Sequence, residues 1–262
     1  MQISQSKLLN QYPNLFHTFT TKEDGNLAFH VNDDPKNVEK NHENLAKKCG
    51  YKKETLVHMK QIHSNIVKIV DEKDNFKNPP TCDALITNKK NIPLMVMVAD
   101  CSPLLFFDPI TETIAVAHAG RAGAFHNIVK NVLDVFSNNF HADTKDIVVC
   151  VGAAICKECY EVSYEIAKEA NAYNLEYALT QEGEKYFLNI RAILKQQLLT
   201  EGIQESHLEI SPDCSSCHKD FFSYREEPSC GRFAGIIELL PSEPTAQVTD
   251  QATPLQVLCS RA

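Results

Sequence analysis

The chain has no basic run and no stripe of clustered arginine. Lys and Arg total 26 against 34 Asp and Glu, a formal net charge of −8. Nucleic acids and anionic membrane surfaces select the opposite sign, so neither is expected as a partner. A small molecule is the better default. Long apolar runs are missing too. Ile92 to Ala99 is the longest and contains Pro93; a bilayer span needs about 20 residues. The opening stretch, Met1-Gln2-Ile3-Ser4-Gln5-Ser6-Lys7, lacks the apolar centre of a secretion signal, and a cytoplasmic location is expected. No G-x-G-x-x-G or G-K-[ST] loop occurs, which sets aside a Rossmann or P-loop phosphate site. No repeat is visible and no flexible linker precedes residue 240.

What is abundant is cysteine: ten residues, at positions 49, 82, 101, 150, 156, 159, 214, 217, 230 and 259. Without a secretion signal, metal ligation or reactive thiols are favoured over disulfides, and about half are expected to be small buried apolar residues. Hydrophobic residues make up 43% of the chain, enough for one substantial core.

Residues 14–20 alternate as a strand, and Asp24-Gly25-Asn26 reads as a turn. Asn37 to Cys49 has helical spacing, with Gly50 as the stop. Leu56 to Val70 reads as strand material around a tight turn. Further strands are expected at Ala84 to Thr87, in two segments within Ile92 to Phe107, at Thr113 to Ala117 and at Ile147 to Ala154. Asn127 to Phe136, Tyr164 to Tyr177 and Asn189 to Thr200 read as helices. Phe221 to Tyr224 and Phe233 to Leu240 are expected to close the sheet. Many strands follow one another directly, which favours an α+β fold of mixed sheets over a doubly wound one. Residues 1–240 are expected to form one domain. Residues 241–262 are rich in Pro, Thr, Gln and Ser without periodicity and read as a disordered tail.

Three polar residues interrupt apolar strand ends: His63, Cys101 and His118. A thiolate and two imidazoles suit Zn²⁺, and three protein ligands leave a fourth position open, the pattern of a catalytic site. The spacings match no local metal motif, so residue types alone leave a hydrogen-bonded core histidine as the default at each position.

Ordered blocks add to this. They are Gln61-Ile62-His63, Thr81 to Thr87, Ala99 to Leu105, Ala117-His118-Ala119-Gly120, Cys159-Tyr160-Glu161-Val162, Phe221 to Arg225 and Gly231-Arg232. Thr18 to Thr21, His30-Val31-Asn32 and Asn41 to Asn44 precede or join them. In this order they resemble the laccase-domain family, formerly called copper polyphenol oxidases and now described as zinc-dependent purine nucleoside phosphorylases. The resemblance spans roughly residues 14–240. It implies mixed β-sheets packed on each other with helices outside, a layered α/β/β/α arrangement. It implies a metal triad of His63, Cys101 and His118, with zinc favoured over copper. The implied activity is phosphorolysis of adenosine, inosine, guanosine and methylthioadenosine, with adenosine deamination on the side. Bacterial members also resemble peptidoglycan editing factors.

Phosphate calls for guanidinium forks, and Arg225 and Arg232 are the candidates. Gln61 is a further candidate for substrate contact. Deamination needs an activated water and a proton shuttle, which Asp83 or Asp100 could supply if burial raised its pKa. Where the family has Gly-Trp-Arg-Gly after the metal histidine, this chain has Gly120-Arg121-Ala122-Gly123, so Arg121 is a candidate replacement for the missing guanidinium. The family's early Thr-Arg-x-Gly-Gly-x-Ser appears as Thr21-Lys22-Glu23-Asp24-Gly25-Asn26, with a point charge in place of a fork. Two rival readings use the thiols differently. Cys101 and His118 could act as a metal-free nucleophile and base. Cys156-x-x-Cys159 and Cys214-x-x-Cys217 have the spacing of a structural zinc site, although the family blocks treat Cys159 and Cys214 as ordinary residues.

Overall fold

The computed structural model describes residues 5–71 and 73–241. In chain order the strands and helices are β1 (Leu15–Phe19), α1 (Pro35–Cys49), β2 (Val67–Ile69), β3 (Ala84–Thr87), β4 (Leu94–Val98), β5 (Ser102–Asp108), β6 (Thr113–Ala119), α2 (Arg121–Phe125), α3 (Ile128–Phe140), β7 (Val148–Val151), β8 (Glu161–Val162), α4 (Tyr164–Ala172), β9 (Leu179–Glu182), β10 (Lys185–Leu188), α5 (Ile190–Thr200), β11 (Leu208–Ile210) and β12 (Phe233–Leu239). The strands form a six-stranded sheet ordered β11-β7-β5-β6-β3-β2, a three-stranded sheet β1-β12-β4, and a small sheet β8-β10-β9. In the six-stranded sheet the two edge pairs, β11 with β7 and β2 with β3, are parallel and the inner pairs are antiparallel.

The layering follows from side-chain alternation along the strands. Leu104 and Phe106 of β5, with Ala115 and Ala117 of β6, face Val129, Val132 and Phe136 of α3 and Ile193 and Leu194 of α5. The intervening Leu105, Phe107, Ile114 and Val116 face the other way, onto Leu94, Val96 and Val98 of β4 and Phe233 and Ile237 of β12. The remaining face of β4 and β12, with Met95, Met97, Ala234 and Ile236, meets Leu45 and Ala46 of α1. The order is therefore helix, sheet, sheet, helix. Every residue of β3 to β7 is buried, because each of these strands is covered on both faces. Truncating a core side chain such as Leu105 to alanine would cost about 2–5 kcal/mol.

α1 starts at Asp34, whose side chain accepts from Lys36 N–H, with Pro35 at its first position, and ends at Gly50 in the left-handed conformation. Three expected elements differ from the structure. The helix expected over Tyr164 to Tyr177 ends at Ala172, with Tyr173 as its cap, and Glu176–Ala178 forms a separate 3-10 turn. Within Leu56 to Val70 only Val67–Ile69 is a strand, since the N–H groups of Ile62, His63 and Ser64 are taken by the Asp83 carboxylate. A side chain that captures backbone donors competes with a ladder. Phe221 to Tyr224 is a loop. Phe221 is apolar because it plugs the core against Phe233, at a ring distance of 5.0 Å. The hairpin of β9 and β10 escapes the pattern reading; it turns at Gly183, φ +62°. The tail expected over 241–262 lies, beyond residue 241, outside the described residues. Among the described residues no helix is long and apolar enough to cross a membrane.

Candidate metal centre and pocket

Asp83 organises the centre. It begins the segment leading into β3 and is wholly buried. Its Oδ1 accepts from His63 N–H at 3.0 Å and lies 2.8 Å from His118 Nδ1. Its Oδ2 accepts from Ile62 N–H, Ser64 N–H and Ser64 Oγ–H at 3.2, 2.7 and 2.7 Å. Its carbonyl also accepts from His118 N–H at 2.8 Å. Burial would raise the carboxyl pKa, but hydrogen bonds from His118 and Ser64 outweigh it and hold the group down at about 2. This corrects the expectation of Asp83 as a proton shuttle with a raised pKa: it is an ionised anchor behind the histidine.

The anchor fixes two donors at once. His63 is held at φ +59°, a left-handed conformation stabilised by the Asp83 bonds to its own and the neighbouring N–H groups. His118 sits near the end of β6 on the face shared by the two sheets, and its Nδ1 is committed to Asp83, leaving Nε2 for a ligand. The two imidazole rings stand 4.8 Å apart at 77°. Cys101 comes from the kink between β4 and β5. One ligand atom from each of His63, Cys101 and His118 lies within 4.8 Å of the others, so these residues could hold a metal ion. Burial opposes ionisation of Cys101, but the neighbouring His118 charge and hydrogen bonds from both histidines bring its thiol down to about 6. Burial likewise opposes the charged form of His118, and the Cys101 thiolate and Asp83 raise it to about 9. Both shifts run in the direction of a thiolate facing an imidazolium. Gly120 closes the cradle: a Cβ there would come within 2.8 Å of Cys101 Sγ and 3.2 Å of His63 Cδ2.

Asp100 is strained and heavily used. It has φ +85°, a rare conformation for a non-glycine residue. Ser215 Oγ–H and Arg225 N–H donate to its carboxylate at 2.6 and 2.7 Å, and Ile155 N–H donates to its carbonyl at 2.9 Å. Three loops are thus pinned at the residue before Cys101.

The triad lies in a cavity of about 700 Å³, within the usual range for small-molecule sites. All the residues expected to touch substrate reach its wall except Asp83. Gln61 is spoken for, its amide pairing with both backbone groups of Met97 at 2.8 and 2.9 Å. Arg225 donates to Glu161 O at 2.9 Å and lies 5.4 Å over the Tyr160 ring. Arg232 donates to Cys230 O at 2.7 Å and lies 5.9 Å from the Tyr224 ring centre. Arg121 is ion-paired with Glu169 and packed over Phe125, so its guanidinium is partly committed away from the cavity. The sequence reading did not assign His30, Tyr160 or Tyr224, which also line the wall. All three fall inside the ordered blocks, and membership of those blocks was the available signal.

Residues 18–240 match the family described as multi-copper polyphenol oxidoreductase laccase. The chain belongs to this family. A purine nucleoside phosphorylase of Corynebacterium glutamicum is 36% identical over 236 residues, covering 86% of this chain and 94% of the relative. One from Streptomyces coelicolor is 35% identical, covering 83% of this chain and 88% of the relative. Among solved structures, YfiH of Bacillus licheniformis superposes with a TM-score of 0.82 at 26% identity, covering 88% of this chain and 93% of that one. YlmD from Geobacillus stearothermophilus gives 0.81 at 25% identity, covering 91% and 99%. The mixed-sheet α+β fold expected from the sequence is the fold of these neighbours.

Proposed function

We propose that this protein is a zinc-dependent purine nucleoside phosphorylase acting on adenosine, inosine, guanosine and methylthioadenosine, with adenosine deamination as a side activity. One observation carries the reading: two imidazoles and a low-pKa thiol converge beside a cavity that also presents arginines and tyrosines, in a chain whose close relatives bear the phosphorylase name.

The donor set fits a divalent ion of intermediate softness. His118 has one nitrogen oriented by a carboxylate and the other turned to Cys101, where an ion would sit between them, Cys101 is already biased to the thiolate, and Gly120 keeps the space beside them clear. Three ligands suit a catalytic zinc site, and when bound the ion supplies Lewis-acid polarisation of an oxygen at the reacting centre. A multicopper oxidase needs several copper centres; the other ligand group among the described residues consists of four cysteines and no histidine.

The chain's own residues do the rest. In phosphorolysis a phosphate oxygen forms a bond to the anomeric carbon while the glycosidic bond breaks. The electron pair leaves with the purine, which takes up a proton, and the products are free base and ribose 1-phosphate. Arg225 and Arg232 line the cavity and are the residues that bind the phosphate, since a guanidinium carries five N–H donors and the backbone carbonyls take only some of them. Tyr160 and Tyr224 offer flat faces for the purine. Asp83 acts through His118 as a positioning residue. Asp100 is the carboxylate on the wall and the one placed to move a proton in deamination. Gln61 and Arg121 shape the wall, with their polar ends largely engaged elsewhere.

The thiolate–imidazolium pair supports a second reading, a metal-free Cys101–His118 hydrolase of the kind that would edit peptidoglycan. One experiment separates them. Metal-loaded protein is incubated with inosine or adenosine with and without phosphate. Free base together with ribose 1-phosphate, formed only with both phosphate and metal, is expected. No free base from folded, zinc-loaded protein would defeat the phosphorylase reading, and turnover that needs neither phosphate nor metal would favour the hydrolase.

A further inference from the structure

A second cluster of sulfur lies beside the pocket wall and takes no part in the chemistry above. Cys156 and Cys159 come from the loop between β7 and β8, and Cys214 and Cys217 from the loop after β11. The four Sγ atoms lie within 4.8 Å of one another, and Cys159 Sγ and Cys217 Sγ are 3.3 Å apart. A tetrahedral ion with Zn–S bonds of about 2.3 Å sets its sulfurs about 3.8 Å apart, so the cage needs only small adjustments to close on one.

The surroundings of one of the four sulfurs, Cys214 Sγ, suit a thiolate. Cys156 N–H and Cys217 N–H both donate to Cys214 Sγ, at 3.2 and 3.5 Å. Backbone donors of this kind support thiolate ligands from behind. Arg191 of α5 donates to Ala154 O, Pro212 O and Asp213 O, which places a cation under both loops. That cation offsets part of the net −2 that four thiolates leave around a divalent ion. The loops are already paired, with a parallel bridge between Ala154 and Cys214 and a bond from Ser215 N–H to Ala154 O at 3.1 Å.

We propose that Cys156, Cys159, Cys214 and Cys217 form a closed tetrathiolate site for Zn²⁺, separate from the His63–Cys101–His118 centre. With four protein ligands it has no open position, so its role is structural. Each thiol gives up its proton to solvent as the ion binds. The ion would tie the loop that carries Ile155 and Tyr160, two pocket-wall residues, to the loop whose Ser215 holds Asp100. The clamp therefore sets the wall of the pocket from behind.

The test is metal content of the full chain, not activity, so it stands or falls apart from the phosphorylase reading. Protein purified under reducing conditions with zinc should retain one equivalent more in wild type than in the Cys159→Ser/Cys217→Ser double variant. His118→Ala should keep that equivalent. Should the double variant fail to fold, Co²⁺ is titrated into metal-free wild type and metal-free His118→Ala instead. Both should develop the intense near-ultraviolet charge-transfer and visible bands of a four-sulfur tetrahedral site. Zinc content unchanged by the cysteine substitutions would overturn the proposal. So would Co²⁺ bands lost in His118→Ala, or an intact mass showing Cys159 and Cys217 joined as a disulfide in the zinc-treated protein.

Discussion

The two candidate ligand clusters are built in opposite ways. The His63–Cys101–His118 group draws its donors from a loop held by Asp83, from the kink between β4 and β5 and from the end of β6, mixes nitrogen with sulfur, and opens onto a cavity. The Cys156–Cys159–Cys214–Cys217 group hangs on two loops, uses sulfur alone, and encloses its own centre. Rigidity reaches the first from the core, through a carboxylate with five donors around it. The second must supply rigidity to its loops. On the readings proposed above, the open, asymmetric set serves chemistry and the closed, symmetric set serves fastening.

The comparison breaks most severely at the open site. Cys101→Ala or His118→Ala should lower nucleoside kcat/KM by about 10³-fold or more, since a Lewis acid is worth several kcal/mol in the transition state. Steady-state assays with circular dichroism as a folding control check this. If either variant kept most of its activity, the triad would not be the reacting centre.

One step out, Asp83→Asn keeps the shape but loses the charge behind His118. Metal affinity or activity should fall about 10–100-fold, measured by competition with a chromogenic chelator. Gly120→Ala tests the same cradle sterically. Its Cβ would sit 2.8 Å from Cys101 Sγ, so zinc retention should drop while the fold survives. Unchanged retention would mean that the cradle relaxes at no cost.

The pH dependence of the metal-free protein sharpens the contrast further. The Asp83 carboxyl lies at about 2 when folded against 3.8 as a free group. A depressed carboxyl contributes stability that is present above the unfolded value and is lost as pH falls through the folded one. About 2 kcal/mol should therefore be present near pH 6 and vanish between about pH 4 and pH 2. Urea unfolding of wild type and Asp83→Asn should show a gap that closes over that window. A gap that stayed constant would assign the difference to packing instead of charge.

The smallest effect is expected between the clusters. Ser215→Ala removes one donor to Asp100 and should cost about 1–2 kcal/mol of stability, with KM rising more than kcat falls. A fall confined to kcat of phosphorolysis would extend the role of Asp100 from deamination to that chemical step.

The strands were legible where the chain is densest in apolar residues. The two segments around Asp100-Cys101 and the run ending at His118 stand almost where the pattern puts them. Leu56 to Val70 was misread because its register is dictated by Asp83, about twenty residues away in sequence. Phe221 and Phe222 looked like strand because a plug and a strand share the same composition. Tyr160 and Tyr224 went unassigned because nothing local separates a tyrosine on a pocket wall from one on a surface.

By itself the sequence determined the alternation that makes two-faced strands, the caps and stops of α1, the supply of thiols, and the ordered blocks that mark the family. Those are properties of neighbours along the chain, and local sterics and solvation act at that range. Only the tertiary structure decided that His63, Cys101 and His118 meet, that Asp83 stands behind the histidine as an ionised anchor, and that two cysteine pairs close into one cage. Each of these depends on the crossing of distant segments in two stacked sheets, and no spacing along the chain encodes a distance across them.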